Sequence, residues 1–593
     1  MKSFIKKIKP DHLKFLKKTF DAVADFKTAN PVLLKISGIN NFFRTNDEFL
    51  TFKTALKPSF VVKEEVDRRE YGDFQTPAIL SEQICSRLRD ENIQPAAIIE
   101  PTFGKGAFIL SSLKTFQSCE LLVGVEIYEA YCWETKFKIL DYFLDNPSIN
   151  KPAIFLYNDD IFHFDFQRVQ SLLKNREVLV IGNPPWVTNA ELSSLKSENL
   201  PVKANFKNHK GLDAMTGKGN FDICETIILR MLKLFSHKND SLAMLAKNSV
   251  IRNIVHDLPK TRYKVADIKT LRIDTKKFFN AAVDASLFIC KFNGRETQWQ
   301  CNVSSFEKPG KTIRDFGWVA DKFVSNISLY RKNSNYDHKS PYEWRQGVKH
   351  DCSRVFELRE EAGKWINGLG QCAEIEDDLV YGLAKSSDLK KPVITRPRKF
   401  VIITQQSIGE STLYIKTHFP KLYTYLKTHQ EALNRRKSSI YKNKPPFSIF
   451  GIGDYSFQPY KVAVSGLYKT PAFSLLLPND GKPIMVDDTC YQLGFDALAE
   501  AIFVWALLNH RHIQDLLSSI TFLDSKRPFT KDILMRLDIH RLAKDLSFVE
   551  IANDVKARSE DLARKIDQEK WRSFLRTSET GSKEVTQLKL FNI

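Results

Sequence analysis

The chain is 593 residues long, 43% apolar and 27% charged, too long for one ordinary core, so two or more globular domains are expected. No apolar run approaches the ~18 residues of a membrane span, and the lysine-rich opening, Met1 to Pro10, lacks the apolar core and small-residue cleavage site of a secretion signal. A formal charge of +19 points to a polyanionic partner such as nucleic acid, while nine singly placed cysteines, with no Cys-x-x-Cys pair or Cys/His cluster, argue against structural zinc or a disulfide scaffold and suit a reducing, cytoplasmic compartment.

Residues 1–70 read as mixed helix. Phe4, Ile5, Ile8, Leu13, Leu16 and Phe20 form an amphipathic pattern among lysines bunched between Lys2 and Lys18, expected to pack on the next domain with a basic outer face. Tyr-Gly-Asp-Phe-Gln-Thr-Pro at 71–77 reads as a turn. Thr76 is held extended by Pro77, and Pro77 opens a helix through Leu80, Ile84 and Leu88, where its missing amide costs nothing. A strand at 96–99 leads into Glu100-Pro101-Thr102-Phe103-Gly104-Lys105-Gly106 and then a helix to 116. Strand, glycine-containing turn and helix is the layout of a nucleotide-type cofactor site, where Gly104 and Gly106 let the backbone approach a ligand. The three-glycine dinucleotide fingerprint is absent, and Lys105 is followed by Gly106 instead of Ser or Thr, which speaks against NAD and ATP.

The alternation continues with a strand at 121–127 carrying Glu126, a carboxylate about twenty residues past the loop, where it can accept from ribose hydroxyls. A helix at 128–143 and a strand at 153–157 follow. That strand ends in Asn158-Asp159-Asp160-Ile161-Phe162, in which an Asp can hold an adenine amine while Ile and Phe cover the ring. The apolar strand at 178–181 stops at Gly182 and presents Asn183-Pro184-Pro185-Trp186. The prolines stiffen the backbone. The Asn183 amide oxygen and the Pro184 carbonyl can each accept from an exocyclic amine, and Trp186 can stack on a flat heterocycle. The polar, lysine-rich stretch 187–220 reads as a flap over that site and nearly as well as a surface insertion. A helix at 221–235 and strands at 242–246 and 287–292 complete this half.

Residues 301–343 lack periodicity and read as a linker. Beyond Trp344, short strand-like runs at 400–404 and 460–464 flank a basic stretch, 434–444. Its Arg435, Arg436, Lys437, Lys442 and Lys444 can neutralise phosphates, although a solvated charged helix explains the same composition. A last amphipathic helix is expected at 542–571.

These motifs, in this order, resemble the S-adenosylmethionine-dependent DNA adenine-N6 methyltransferases, in the branch that places cofactor motifs before the catalytic one and target recognition last. The resemblance is clear over 71–292 and weaker over 344–537, where Gly347 and the 447–470 region match the family's recognition domain. It implies an α/β fold: a Rossmann-like methyltransferase domain with a mostly parallel, seven-stranded-type sheet, plus a C-terminal mixed α+β target-recognition domain. The implied domains are a helical basic extension (1–70), the catalytic domain (71–300), a linker (301–343), the recognition domain (344–540) and a helical tail (541–593). By the resemblance, Gln75, Thr76 and Pro77 lie against the methionine end of S-adenosylmethionine. Glu100, Pro101, Thr102, Phe103, Gly104 and Gly106 form the cofactor loop. Glu126 binds the ribose, and Asp160, Ile161 and Phe162 form the adenine pocket, with Asp159 a near-equal candidate for the acid. Asn183, Pro184, Pro185 and Trp186 are the catalytic tetrapeptide, Asn183 also bordering the cofactor; Trp stands where Tyr is commoner. Phe279 is the second aromatic wall for the target base, with Phe278 the fallback.

The implied substrate is double-stranded DNA, whose target adenine must be flipped out. The implied partner is a cognate restriction endonuclease. No metal and no strong base are required for methyl transfer. Three rivals remain in the sequence. A fused endonuclease would need clustered acids around Mg²⁺, for which 1–70 is too short. A non-catalytic DNA-binding subunit would not need its intact motifs. An RNA methyltransferase shares the tetrapeptide.

Overall fold

Four mostly apolar runs build parallel strands in the first half; three are buried throughout, and the third in chain order, at the sheet's edge, is partly exposed. In a computed structural model that describes residues 1–56, 74–187, 222–236, 239–261, 263–292, 298–308, 310–525 and 527–576, they are β1 (Ala97–Glu100), β2 (Leu121–Glu126), β3 (Ala153–Asn158) and β4 (Val178–Gly182). The chain divides into two compact units, Met1–Phe323 and Val324–Ile593.

The sheet of the first unit continues through β5 (Ser241–Lys247), β6 (Val265–Arg272), β7 (Ala285–Phe292), β8 (Gln300–Ser305), β9 (Thr312–Val319) and β10 (Lys322–Val324). Among the described residues its order is β10-β9-β8-β6-β7-β5-β4-β1-β2-β3. Strands β3, β2, β1, β4 and β5 are parallel neighbours, and β7 enters antiparallel between β5 and β6. The chain steps from β1 outward to β2 and β3, then returns to β4 on the other side of β1. Strand direction of travel reverses there, which opens a crevice at the carboxyl ends of β1 and β4.

The sheet is therefore mostly parallel but wider than the seven strands expected. Residues 301–343, read as a linker, instead carry β8 to β10 and the helix Ile327–Asn333. Their strands were hidden because β9 carries adjacent charged Arg314 and Asp315 and buries only Phe316 and Gly317, so neither an apolar run nor a two-residue period marks it. Residues 1–56 are not a separate module but part of the first unit. Helices Pro10–Phe20, Phe26–Ser37 and Asn46–Ala55 bring Phe20, Phe42, Phe43, Phe49 and Phe52 together with Trp133 and Phe137 of helix Glu129–Asp145. The buried Lys136 ammonium donates to the Phe42 carbonyl at 2.6 Å and lies 4.6 Å from the Trp133 ring. Burial lowers its pKa to about 8.

The second unit holds two five-stranded sheets among its described residues. One has the order β11 (Arg345–Gln346), β20 (Cys490–Phe495), β17 (Tyr460–Ser465), β18 (Phe473–Leu476), β15 (Val393–Ile394). The other runs β13 (Lys364–Asn367), β12 (Glu357–Glu361), β16 (Lys399–Ile402), β14 (Val380–Ala384), β19 (Met485–Val486). The apolar helix Leu498–Leu508 packs on β17 and β18, and its Trp505 indole donates to the Phe473 carbonyl at 2.9 Å. The single helix expected at 542–571 is instead broken into Ile539–Asp545, Phe548–Arg558 and Glu560–Ala563 and a further helix over 568–576. Ser547 and Ser559 cause the breaks: each takes an extended backbone and caps the following helix through its hydroxyl, Ser547 with Glu550 in a capping box.

Candidate active site

Gly182 ends β4, and the stiff Asn183-Pro184-Pro185 segment turns the chain out of the sheet at the crevice. The Asn183 amide nitrogen donates to the Phe74 carbonyl at 2.9 Å and to the Thr76 hydroxyl at 3.2 Å. Those two acceptors fix which way the amide faces. The Asn183 Oδ1 is buried and meets no hydrogen-bond donor among the described residues. A buried amide oxygen left without a donor costs about 1–3 kcal/mol, and such cost is commonly recovered from a ligand.

The same segment joins the tetrapeptide to the cofactor loop. Gln75 Oε1 accepts from the Lys105 amide at 3.0 Å, so residues 74–76 connect Asn183 to the turn after β1. That turn is built on two left-handed glycines, Gly104 (φ +50°) and Gly106 (φ +76°). A Cβ on Gly104 would stand 2.8 Å from Gln75 Oε1, and one on Gly106 only 2.5 Å from Thr135 Cγ2. The Glu126 carboxylate at the end of β2 accepts from the Gly104 amide at 2.8 Å and from the Tyr128 amide at 2.9 Å. Phe103 does not face the crevice: it is buried, close against Gly124 of β2, and supports the loop from below.

After β3, Asp160 accepts from the Phe162 amide at 2.9 Å through Oδ1 and lies 2.7 Å from His163 Nδ1 through Oδ2. Asp159 Oδ1 accepts from the Asp160 amide at 2.8 Å. Asp160 thus shapes the turn on which Ile161 is buried and Phe162 half-buried. Beside Asn183, the rings of Trp186 and Phe279 meet edge to face at 5.2 Å, and Phe74 lies 5.4 Å from Trp186 and 6.2 Å from Phe279. Trp186 and Phe279 come together as expected, but in direct contact and not as two spaced walls. Pro184 is buried, Pro185 half-buried.

Three contributors escaped sequence reading. Phe74 supplies both a ring and the carbonyl that orients Asn183. Asp222 caps helix Ile223–Leu234 and pairs with Lys247, which reaches the Trp186 carbonyl at 3.4 Å. An acid immediately before an apolar helical run is an N-cap signal that could have flagged Asp222. Tyr71 to Asp73 and the expected flap, from 188 on, lie outside the described residues.

Glu100, at the end of β1, is fully enclosed, and its Oε2 has no partner among the described residues. Burial first, and the charge of Glu126 second, push its carboxyl well above the usual range. A carboxyl that holds its proton when folded but ionises when unfolded makes the folded state the proton binder. Stability then falls as pH rises from the unfolded value, about 4.5, towards the raised folded value. Glu100→Gln keeps the shape without the ionisation. It is expected to flatten that fall when urea midpoints are compared at about pH 5 and about pH 8 without cofactor; an unaltered slope would show that Glu100 is already ionised in the fold.

The basic stretch of the second unit divides. Arg435, Lys437, Lys442 and Lys444 are exposed, Arg435 paired with Glu431. Arg436 is turned inward: it donates to the carbonyls of Leu433, at 2.9 Å, and Ser448, at 2.7 Å, and its guanidinium lies 3.8 Å from the Tyr441 ring. Its role is to weld this loop, a correction to its expected place among phosphate contacts. Among the described residues no helix is long and apolar enough to cross a membrane, and no group of three or more side chains is placed to hold a metal ion.

No family model matches the chain. It is 40% identical over 481 residues to the Type II methyltransferase M.NspV of Nostoc sp., covering 81% of this chain and 98% of that protein. Among solved structures it is similar to the Type IIL restriction-modification enzyme MmeI in complex with DNA (13% identity, TM-score 0.49, 85% of this chain and 72% of that one). It is also similar to the M protein of the type I restriction enzyme EcoKI (14% identity, TM-score 0.27, 50% and 59%). With 40% identity across nearly the whole of that relative, the chain belongs to the Type II methyltransferases, the DNA-methylating enzymes of restriction-modification, whose methyl donor is S-adenosylmethionine.

Proposed function

We propose that the protein methylates N6 of an adenine flipped out of duplex DNA, and that it is the modification enzyme of a restriction-modification pair whose nuclease is a separate chain. The observation that carries this reading is the buried Asn183 Oδ1, which meets no donor among the described residues and is held in one orientation by Phe74 and Thr76. It is an acceptor awaiting an N–H, and an exocyclic amine brings two. The Asn183 oxygen takes one amine hydrogen and the Pro184 carbonyl the other, which concentrates the nitrogen lone pair on the side away from both. Trp186 supplies a face for the extruded ring, and Phe279 must swing off Trp186 to become the opposite wall, since their present contact leaves no slot between them.

The residues present suit the cofactor. Bound S-adenosylmethionine supplies an electrophilic methyl group on a sulfonium. Gly104 and Gly106 hold the left-handed turn on which the loop's backbone meets it, Gln75 and Thr76 line the methionine end, Glu126 takes the ribose hydroxyls, and Asp160 with Ile161 and Phe162 takes the adenine. Pro77, Glu100, Pro101 and Thr102 frame the loop, Thr102 with a buried hydroxyl that has no partner among the described residues. Proximity and orientation, not a general base, carry the rate. In the second unit, exposed Arg435, Lys437, Lys442 and Lys444 contact phosphates.

Methylation-sensitive long-read sequencing of DNA from cells expressing the protein is expected to show modified adenines in one recurring motif. Modified cytosines in their place would overturn the choice of base, and unmodified DNA beside methylated ribosomal RNA would overturn the choice of polymer.

A further inference from the structure

We infer that Arg230 is a positioning residue for S-adenosylmethionine: it sets the shape of the turn after β3 and so the affinity for the adenosine end of the cofactor. Arg230 lies on helix Ile223–Leu234 and reaches across to that turn, its two terminal nitrogens donating to the Phe162 carbonyl at 2.5 Å and the Phe164 carbonyl at 2.8 Å. The guanidinium carbon also stands 5.8 Å from the Phe166 ring. A planar fork binding two carbonyls two residues apart fixes the turn more tightly than any single donor could. Asp160 holds the same turn from the inside, accepting from the Phe162 amide and meeting His163. The peptide groups on either side of Phe162 are therefore clamped from two directions, and Arg230 is the clamp that comes from another element of the fold.

The position of that element gives the contact a second consequence. The helix begins at Asp222, which pairs with Lys247, and Lys247 donates to the Trp186 carbonyl. The Ile223 amide also donates to the Val187 carbonyl at 3.0 Å. One helix thus grips the exit of the Asn-Pro-Pro-Trp segment at its first turn and the adenine turn two turns later, a separation of about 12 Å along its axis. A shift of this helix on binding at one site is delivered to the other by hydrogen bonds.

The inference rests on the assignment of Asp160, Ile161 and Phe162 to the cofactor adenine, so that assignment is tested beside it. Binding of S-adenosylhomocysteine and of 5′-methylthioadenosine, which lacks the amino-acid portion, is measured by calorimetry for wild type, Arg230→Met, Arg230→Lys and Asp160→Ala, with steady-state methylation of DNA. Arg230→Met is expected to weaken both ligands by about tenfold, equally, because only the adenosine end is loosened. KM for S-adenosylmethionine is expected to rise by a similar factor with kcat largely kept, and Arg230→Lys, whose single ammonium replaces the two-nitrogen fork, to fall between. If Asp160→Ala weakens both ligands while Arg230→Met leaves affinity and KM unchanged, the role given to Arg230 is wrong and the adenine pocket stands. If neither variant changes affinity, the pocket assignment itself is wrong. Should Arg230→Met melt too early to assay, the same comparison is made with Arg230→Lys, whose unchanged affinity would equally overturn the role.

Discussion

Asn183→Ala is expected to lower methylation by about a thousandfold or more while leaving S-adenosylmethionine binding close to wild type. The size follows from the role proposed for the side chain, a fixed acceptor where the reacting amine is held: deleting one preorganised group of this kind costs about 10²–10³ in rate even when it acts alone. Here its loss also frees the Phe74 carbonyl and the Thr76 hydroxyl, which define the wall of the site. Thr76→Val separates these effects. It removes one orienting partner but keeps the Asn183 oxygen, and is expected to cost far less than Asn183→Ala in single-turnover assays. Equal losses in the two variants would mean that the segment at 74–76 matters only as scaffold.

Gly106→Ala is expected to abolish tight cofactor binding and to destabilise the first unit. Its φ of +76° is costly for any residue with a Cβ, and the new methyl would lie 2.5 Å from the Thr135 side chain, which is buried. Left-handed strain and overpacking together cost roughly 2–4 kcal/mol. The loop can escape only by moving away from helix Glu129–Asp145, which carries Gly104 and its bond to Glu126 with it. Calorimetric titration with S-adenosylhomocysteine and a urea melt check both effects. Adding Thr135→Ala is expected to restore part of the stability, because it removes the two nearest atoms, leaving Cβ at 3.1 Å, but not the backbone strain.

The elements that sequence made legible share one property: their signal is local. Strands β1, β2 and β4 are unbroken apolar runs, and the loop from Glu100 to Gly106 announces its turn through glycine and proline. Strand β6 was not legible, because its Asp267 and Lys269 form a surface pair, Lys269 also reaching Glu91, so the charged residues that mask its period are there for tertiary reasons. The same holds at the site. Asn183, Glu126 and Asp160 stand at strand ends within recognisable motifs, whereas Phe74 and the Asp222–Lys247 pair acquire meaning only when distant segments meet. Arg436 shows the converse error. Four of five basic residues in its stretch face solvent, and nothing in the local composition distinguishes the one that turns in over Tyr441.

Mass spectrometry of nucleosides released from duplex DNA after incubation with the purified protein and isotopically labelled S-adenosylmethionine bears most directly on the proposed amine clamp of Asn183 and Pro184. Label is expected in N6-methyl-2′-deoxyadenosine from the wild-type reaction and to be absent with Asn183→Ala. Label in N4- or C5-methyl-2′-deoxycytidine, or undiminished N6-methyl-2′-deoxyadenosine from the variant, would contradict it.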